Sequence, residues 1–196
     1  MNMNDKTIIG IDPGANGAIS FTTTDNKIRK KNRITAYKCD KSLSGRTIVC
    51  TMAKQAYHKK IIAYIEKVHA MPHDGRSSLF KFGTNYGVWM GILESNNIEY
   101  ELVMPKKWQK DFNLPKIKKE RKQELKTIEV SPQKWMRWWE TKLDIKLPKE
   151  KKDRKKKLKE IASEYIDINQ KPTLWNADSI LITMYGVYTE KEKNVS

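Results

Sequence analysis

Histidine and cysteine are scarce in this chain, with three of the first and two of the second in 196 residues. His58, His69 and His73 form no ligand pair at helical spacing, so a zinc site is not indicated. Cys39 and Cys50 match no metal-binding spacing, and two cysteines are too few for a disulfide scaffold; they fit a reducing compartment. No convincing Ser/His or Cys/His pair is present, which leaves covalent nucleophilic catalysis without its parts. Long hydrophobic runs are also missing. The longest purely apolar stretch, Ile61 to Ile65, is far short of the roughly 20 residues of a membrane span. The opening Met-Asn-Met-Asn-Asp-Lys leads into no signal-like apolar region, so the expectation is a cytoplasmic protein. Acidic residues are outnumbered, 23 Asp+Glu against 39 Lys+Arg, a formal charge of +16. Such an excess points to a polyanionic partner, of which nucleic acid is the commonest.

The excess is concentrated. Residues 105–160 hold 21 Lys+Arg and 9 Asp+Glu, most of the surplus in the chain. Four of the six tryptophans, Trp108, Trp135, Trp138 and Trp139, lie in the same segment. Cationic and aromatic side chains are thus interleaved as phosphate contact and base stacking require. The candidate DNA-contacting residues are Lys106, Lys107, Lys110, Lys134, Arg137, Lys151, Lys152, Lys155 and Lys156. Trp135, Trp138 and Trp139 at i, i+3, i+4 equally fit a helix docking an apolar face on a core, and lysine-rich helical faces are often only solvated. The segment also repeats itself: Val103 to Lys110 resembles Val130 to Arg137, and the basic run 118–122 returns as 151–155, which points to a local duplication.

Elsewhere the pattern is that of an α/β domain. Thr7 to Ile11 and Ala18 to Thr23 read as strands around the turn Pro13-Gly14-Ala15-Asn16-Gly17, with a third strand near Arg33 to Lys38. Ile48, Val49, Met52, Ala53, Ala56 and Tyr57 keep helical spacing over about Ser44 to His58. Ile61 to Ile65 lacks alternation, as a strand covered on both faces does, and it ends on Glu66. A helix is predicted over about Ser77 to Asn96, then a strand over Ile98 to Val103, helices in the basic segment, and a last helix from Ala177 to about Tyr188. Gly83, Gly87 and Gly91 lie four apart on the second helix, and each costs roughly 1 kcal/mol relative to Ala. The stripe implies a close backbone approach, either by the protein's own sheet or by a second subunit. One domain over residues 1–196 is expected, with a basic helical region at about 105–165.

Three acids stand where such a fold would gather them: Asp12 after the first strand, Glu66 closing the fourth, and Asp178 in the first turn of the last helix. Ligands of open α/β sheets bind beyond the carboxyl ends of the strands, and the first and fourth strands would be parallel neighbours. Clustered carboxylates repel unless a divalent cation neutralises them, and Mg²⁺ takes oxygen ligands. Two ions about 3.5–4 Å apart can activate water and stabilise the leaving oxygen of a phosphodiester. Taken singly, Asp12 also fits a turn former, Glu66 an exposed strand end, and Asp178 an acid favoured by the helix dipole.

The run Ile8-Ile9-Gly10-Ile11-Asp12-Pro13-Gly14 resembles the opening of RuvC-type Holliday junction resolvases of the ribonuclease H-like superfamily. Ile65 to Pro72, Ser77 to Gly83, Tyr86 to Leu93, Val103 to Trp108 and Asn176 to Leu181 extend the resemblance, in order and to the phage branch, across residues 8 to 188. The resemblance implies a ribonuclease H-like mixed sheet of five strands, three antiparallel and then two parallel, flanked by helices. It also implies a homodimeric endonuclease that makes paired nicks in four-way junctions, with two Mg²⁺ or Mn²⁺ ions held by Asp12, Glu66 and Asp178. Lys106 and Lys107 follow the strand from Ile98, whose end should lie beside the carboxylates, so one of them is expected at the scissile phosphate, Lys107 as the catalytic candidate; both equally fit ordinary surface lysines. One departure stands out: the family commonly has a further acid about one helical turn before the last Asp, and here the positions read Leu174, Trp175 and Asn176. A branched-DNA-binding protein of the same fold that does not cut is the alternative this departure leaves open.

Overall fold

Two apolar runs joined by a proline-glycine turn must pair with each other, and they do. β1 (Lys6–Ile11) and β2 (Ala18–Thr23) are antiparallel, with Ile9 opposite Phe21 and Ile11 opposite Ile19. β3 (Thr35–Lys38) adds antiparallel to β2. The chain then alternates: α1 (Leu43–Tyr57), β4 (Lys60–Glu66), α2 (Arg76–Ser95), β5 (Glu99–Val103), α3 (Pro105–Asp111), α4 (Lys151–Ala162) and α5 (Ala177–Lys193). This computed structural model describes residues 5–14, 16–25, 34–39, 42–57, 60–67, 75–112, 151–167 and 169–193. Lys134, Arg137, Trp135, Trp138, Trp139, the three histidines and the segment that would hold most of the second repeat lie outside the described residues. β4 runs parallel to β1, and β5 parallel to β4, giving the order β3-β2-β1-β4-β5. The expected five-stranded mixed sheet is therefore present. No helix among the described residues is long and apolar enough to cross a membrane.

The two-residue period of a strand divides the sheet into two cores. Ile9, Ile11, Ile19, Ala63 and Ile65 face α1 and α2, while Ile8, Ile62 and Tyr64 face α3, α4 and α5. Even-numbered residues of β1 and β4 thus share the α5 face. This parity carries through to Asp12 and Glu66 at the strand ends.

α5 sits on that face at unusually short range. A Cβ on Gly10 would lie 2.5 Å from the backbone N of Thr183 and 2.6 Å from the carbonyl O of Ser179. Beside this contact the hydroxyls of Ser20 and Thr183 hydrogen-bond at 2.6 Å. At the far end of α5, Glu190 is fully buried and accepts hydrogen bonds from the Tyr64 hydroxyl at 2.7 Å, from Lys193 at 2.8 Å and from Lys6. Burial opposes its ionisation, but these three donors outweigh burial and hold the carboxyl down at about 2. α5 is pinned at both ends, and its orientation is fixed.

The expected inward face of α1 needs correction. On α1 the buried side carries Arg46, Val49, Cys50 and Ala53, while Ile48 and Met52 are exposed. On α2, Trp89 and Leu93 are fully buried on the sheet, so they add nothing to an outer apolar surface.

Since α5 meets β1 through backbone atoms that cannot turn aside, Gly10→Ala is expected to cost about 3 kcal/mol. Thermal unfolding followed by circular dichroism should show Tm lowered by roughly 6–12 °C. An unchanged Tm would mean that α5 can lift from the sheet without loss.

Candidate functional site

β1 and β4 are paired up to Ile11 and Ile65, so Asp12 and Glu66 follow side by side at the carboxyl ends of two parallel strands. The turn after β1 is tight. Asp12 N donates to Ala18 O at 2.9 Å and Gly14 N donates to Asp12 Oδ1 at 2.9 Å. A Cβ on Gly17 would crowd the backbone of Asp12, which only glycine avoids. The other side of this turn is held by α2: the Asn85 amide donates to the Pro13 carbonyl, and Arg46 of α1 in turn donates to the Asn85 side chain and, at 3.4 Å, to its carbonyl. Arg46 is buried, with its guanidinium 5.1 Å from the ring centre of Trp89.

Glu66 is held from α3. Pro105 at the start of that helix fits a position whose N–H would have no helical partner. The helix turns Trp108 inward, where the indole Nε1 donates to Glu66 Oε1 at 3.3 Å. Trp108 is fully buried, so it packs and orients an acid rather than stacking on a base.

The three acids feel one another. Burial, then the charges of Asp12 and Asp178, push Glu66 up to about 8 against the pull of Trp108 and Arg154. Burial, then Asp12, pushes Asp178 up to about 6, opposed by Lys155 and Arg154. Asp12 is raised as well, because burial outweighs the Gly14 N–H and the charge of Lys155. Residues 54 positions apart and 112 positions apart in the chain are thus brought, half-buried, within electrostatic reach of one another. The donors are all carboxylate oxygens, which suits a hard divalent cation such as Mg²⁺. Among the described residues no three side chains of His, Cys, Asp or Glu converge closely enough to hold an ion as they stand. The fit therefore lies in the donor chemistry and in the excess charge that a cation would neutralise.

Lys107 does not join this group. Its ammonium is 3.5 Å from Glu101 and lies 5.7 Å from the ring centre of Tyr185. With Trp108 turned inward, the preceding residue on the helix is rotated away, so this placement gives Lys107 no contact with the acids. Lys106 and Lys110 are exposed on α3. The cations that do act on the acids come from α4: Lys155, expected as a DNA contact, and Arg154, which sequence reasoning missed. Arg154 is the single arginine in the run 151–159 among six lysines, and that was the available signal.

Asn176 supplies no fourth ligand. It is buried, its Oδ1 accepts from Thr173 N at 2.7 Å and its Nδ2 donates to Lys171 O at 3.4 Å. Its amide closes the turn that leads into α5, and the donated bond is one a carboxylate could not make. The thiol of Cys39, near Asp12, is pushed up to about 12 by burial and then by Asp12, so it does not act as a nucleophile at neutral pH.

A carboxyl whose pKa rises on folding stabilises the fold while protonated and loses that contribution as pH rises through the raised value. For Glu66 the window runs from its ordinary 4.5 to about 8. In metal-free buffer Tm is expected to fall across that window, and Glu66→Gln should flatten the fall and raise Tm at its alkaline end. A wild-type Tm that does not change with pH there would mean that these acids are solvated.

No family model matches the chain, and no curated protein matches it. Among solved structures, T. thermophilus RuvC in complex with Holliday junction substrate matches with a TM-score of 0.50 at 9% identity, over 95% of this chain and 96% of that one. A Thermus thermophilus RuvC structure matches over the same shares with a TM-score of 0.47 at 10% identity. Likeness at such identity is likeness of fold: the chain has a RuvC-like, ribonuclease H-like fold of five strands and flanking helices.

Proposed function

We propose that this protein is a metal-dependent, structure-selective endonuclease that resolves four-way DNA junctions by paired nicks, of the phage branch of the RuvC-type resolvases. The reading is supported by the parallel pairing of β1 and β4, which sets Asp12 beside Glu66 at the strand ends, and by the charge that Asp178 at the start of α5 exerts on Glu66. These three would hold Mg²⁺ or Mn²⁺, two ions for each site, which would supply charge for activating water and for the leaving 3′ oxygen. Trp108 orients Glu66, and the Asn85 and Gly14 contacts orient the Asp12 turn. Branched DNA would be held by the basic surface, including Lys106 and Lys110 on α3 and the lysines of α4, through phosphate contacts that weaken as salt rises. Buried, reduced Cys39 and Cys50 suit work in a cytoplasm.

A second reading, a branched-DNA binder of the same fold that does not cut, is favoured by one observation: Asn176 stands near where a further acid is common and its amide is committed to the local turn. A fluorescent four-way junction assayed with Mg²⁺ and with Mn²⁺ separates the two. Symmetric nicks abolished by Asp12→Asn, with junction binding retained, are the expected result. Binding without nicking in either metal would establish the binder.

Paired nicks need two sites related by a two-fold axis, hence a homodimer. Gly83, Gly87 and Gly91 support this reading, because a Cβ on any of them would meet nothing within 4 Å. The stripe does not seat α2 on its own sheet, so the close approach it allows is left for a second copy. Gly87→Leu therefore has room in a single chain and should gain helix propensity. Light scattering and circular dichroism are expected to show a folded monomer that binds junctions without paired cutting. A folded, active dimer would remove this face from the interface.

A further inference from the structure

α4 does more than carry positive charge. Leu158 and Ala162 anchor it in the core beneath α5, and the chain beyond it returns to the sheet, where Ile34 and Ile166 form a parallel bridge. The first turns of the helix are therefore fixed with respect to the acids. Arg154 is half-buried there, and its guanidinium donates to Gln109 Oε1 on α3. Gln109 follows Trp108, the residue that donates to Glu66. Lys155, the next residue on α4, is exposed. The two side chains lie close enough to draw down the acids, Arg154 acting on Glu66 and Asp178, and Lys155 on Asp12 and Asp178. Yet no ion pair among the described residues joins either cation to these acids. A guanidinium has five N–H donors in a planar fork, and the bond to Gln109 leaves donors over for a second oxygen-rich group.

Six lysines in the same run would serve an electrostatic surface equally well at this position, but Arg binds planar oxyanions in a way that a point-charge ammonium does not. We propose that Arg154 is a catalytic residue that grips the scissile phosphodiester over the carboxylate cluster, with Lys155 as its neighbour on the same phosphate. The inference rests on the nuclease reading above. In the reaction the oxygen of water bonds to phosphorus, the P–O3′ bond breaks, and the 3′ oxygen leaves with the electron pair and takes up a proton. The products are a 3′ hydroxyl and a 5′ phosphate. Negative charge grows on the non-bridging and leaving oxygens during this exchange, and a fixed guanidinium at that point stabilises it more than it stabilises the bound junction.

The test compares wild type, Arg154→Gln, Arg154→Lys and Arg154→Ala in full-length protein. Arg154→Gln is expected to slow single-turnover nicking on the order of 100-fold, with junction affinity in Ca²⁺ and Tm close to wild type. Arg154→Lys should recover part of the rate, and added guanidinium should rescue Arg154→Ala. Calorimetric titration with Ca²⁺ alone should show tighter binding to Arg154→Gln, because a cation that opposes the metal has gone. Wild-type nicking rates in Arg154→Gln would overturn the inference and leave the nuclease reading intact. Lowered Tm with no guanidinium rescue would also overturn it, making Arg154 a latch between α4 and α3. A wild-type protein that binds junctions and never nicks would sink the nuclease reading and this inference together.

Discussion

Three half-buried carboxylates lie within electrostatic reach of one another, with few hydrogen-bond donors to hold them ionised, and much of the surrounding structure serves to keep them there. Left to themselves, buried like charges move apart, become solvated or take up protons. Here the fold closes the first route, and half-burial narrows the second. Parallel pairing of β1 with β4 sets Asp12 beside Glu66, and the seating of α5 on Gly10 brings Asp178 to the same face. The third route remains open, which is why all three acids titrate high. A cation bound among them would replace protons and remove the repulsion in one event.

The scaffold that enforces this arrangement is itself polar and buried at its far end. Glu190, beneath Tyr64 and between Lys6 and Lys193, is the mirror case of the acids at the other end of α5. There a carboxylate has donors on every side and stays ionised; at the site the donors are few and the neighbours are anions. One helix thus carries an acid with three donors and, about three turns away, another beside acids. The difference in environment, rather than in residue type, separates the acid held ionised from the one whose pKa is raised.

Much of this was legible in the sequence. An apolar run without alternation that ends in Glu66 reads as a covered parallel strand, and a run that ends in Asp12 before Pro-Gly reads as its partner; strand parity then puts both acids on one face. Side-chain direction on the helices was harder to read. Lys107 and Trp108 are adjacent, and only the depth of the core behind β5 decides that the indole goes inward and the ammonium outward. On α1, apolar residues occupy two neighbouring stripes, and Arg46 joins the buried one because Trp89 and Asn85 receive it. No periodicity announces a buried arginine. Arg154 stayed hidden for a similar reason: a single guanidinium among lysines acquires meaning only when α4 is laid against α3.

The placement of Arg46 and Asn85 ties two parts of the molecule that sequence treats separately. α2 turns its glycines outward to open space and, from the opposite side, gives Asn85 to the carbonyl beside Asp12. A buried charge is costly without partners, and Arg46 finds them in Asn85 and in the face of Trp89, both on α2. Sliding α2 along its axis would strand that charge and release the Pro13 carbonyl together, so the helix and the turn after β1 hold one arrangement as a unit. An interface formed on the glycine face would consequently rest on the same rigid body that positions Asp12, and the separation between two such acids in a dimer would be set by helix packing rather than by a loop.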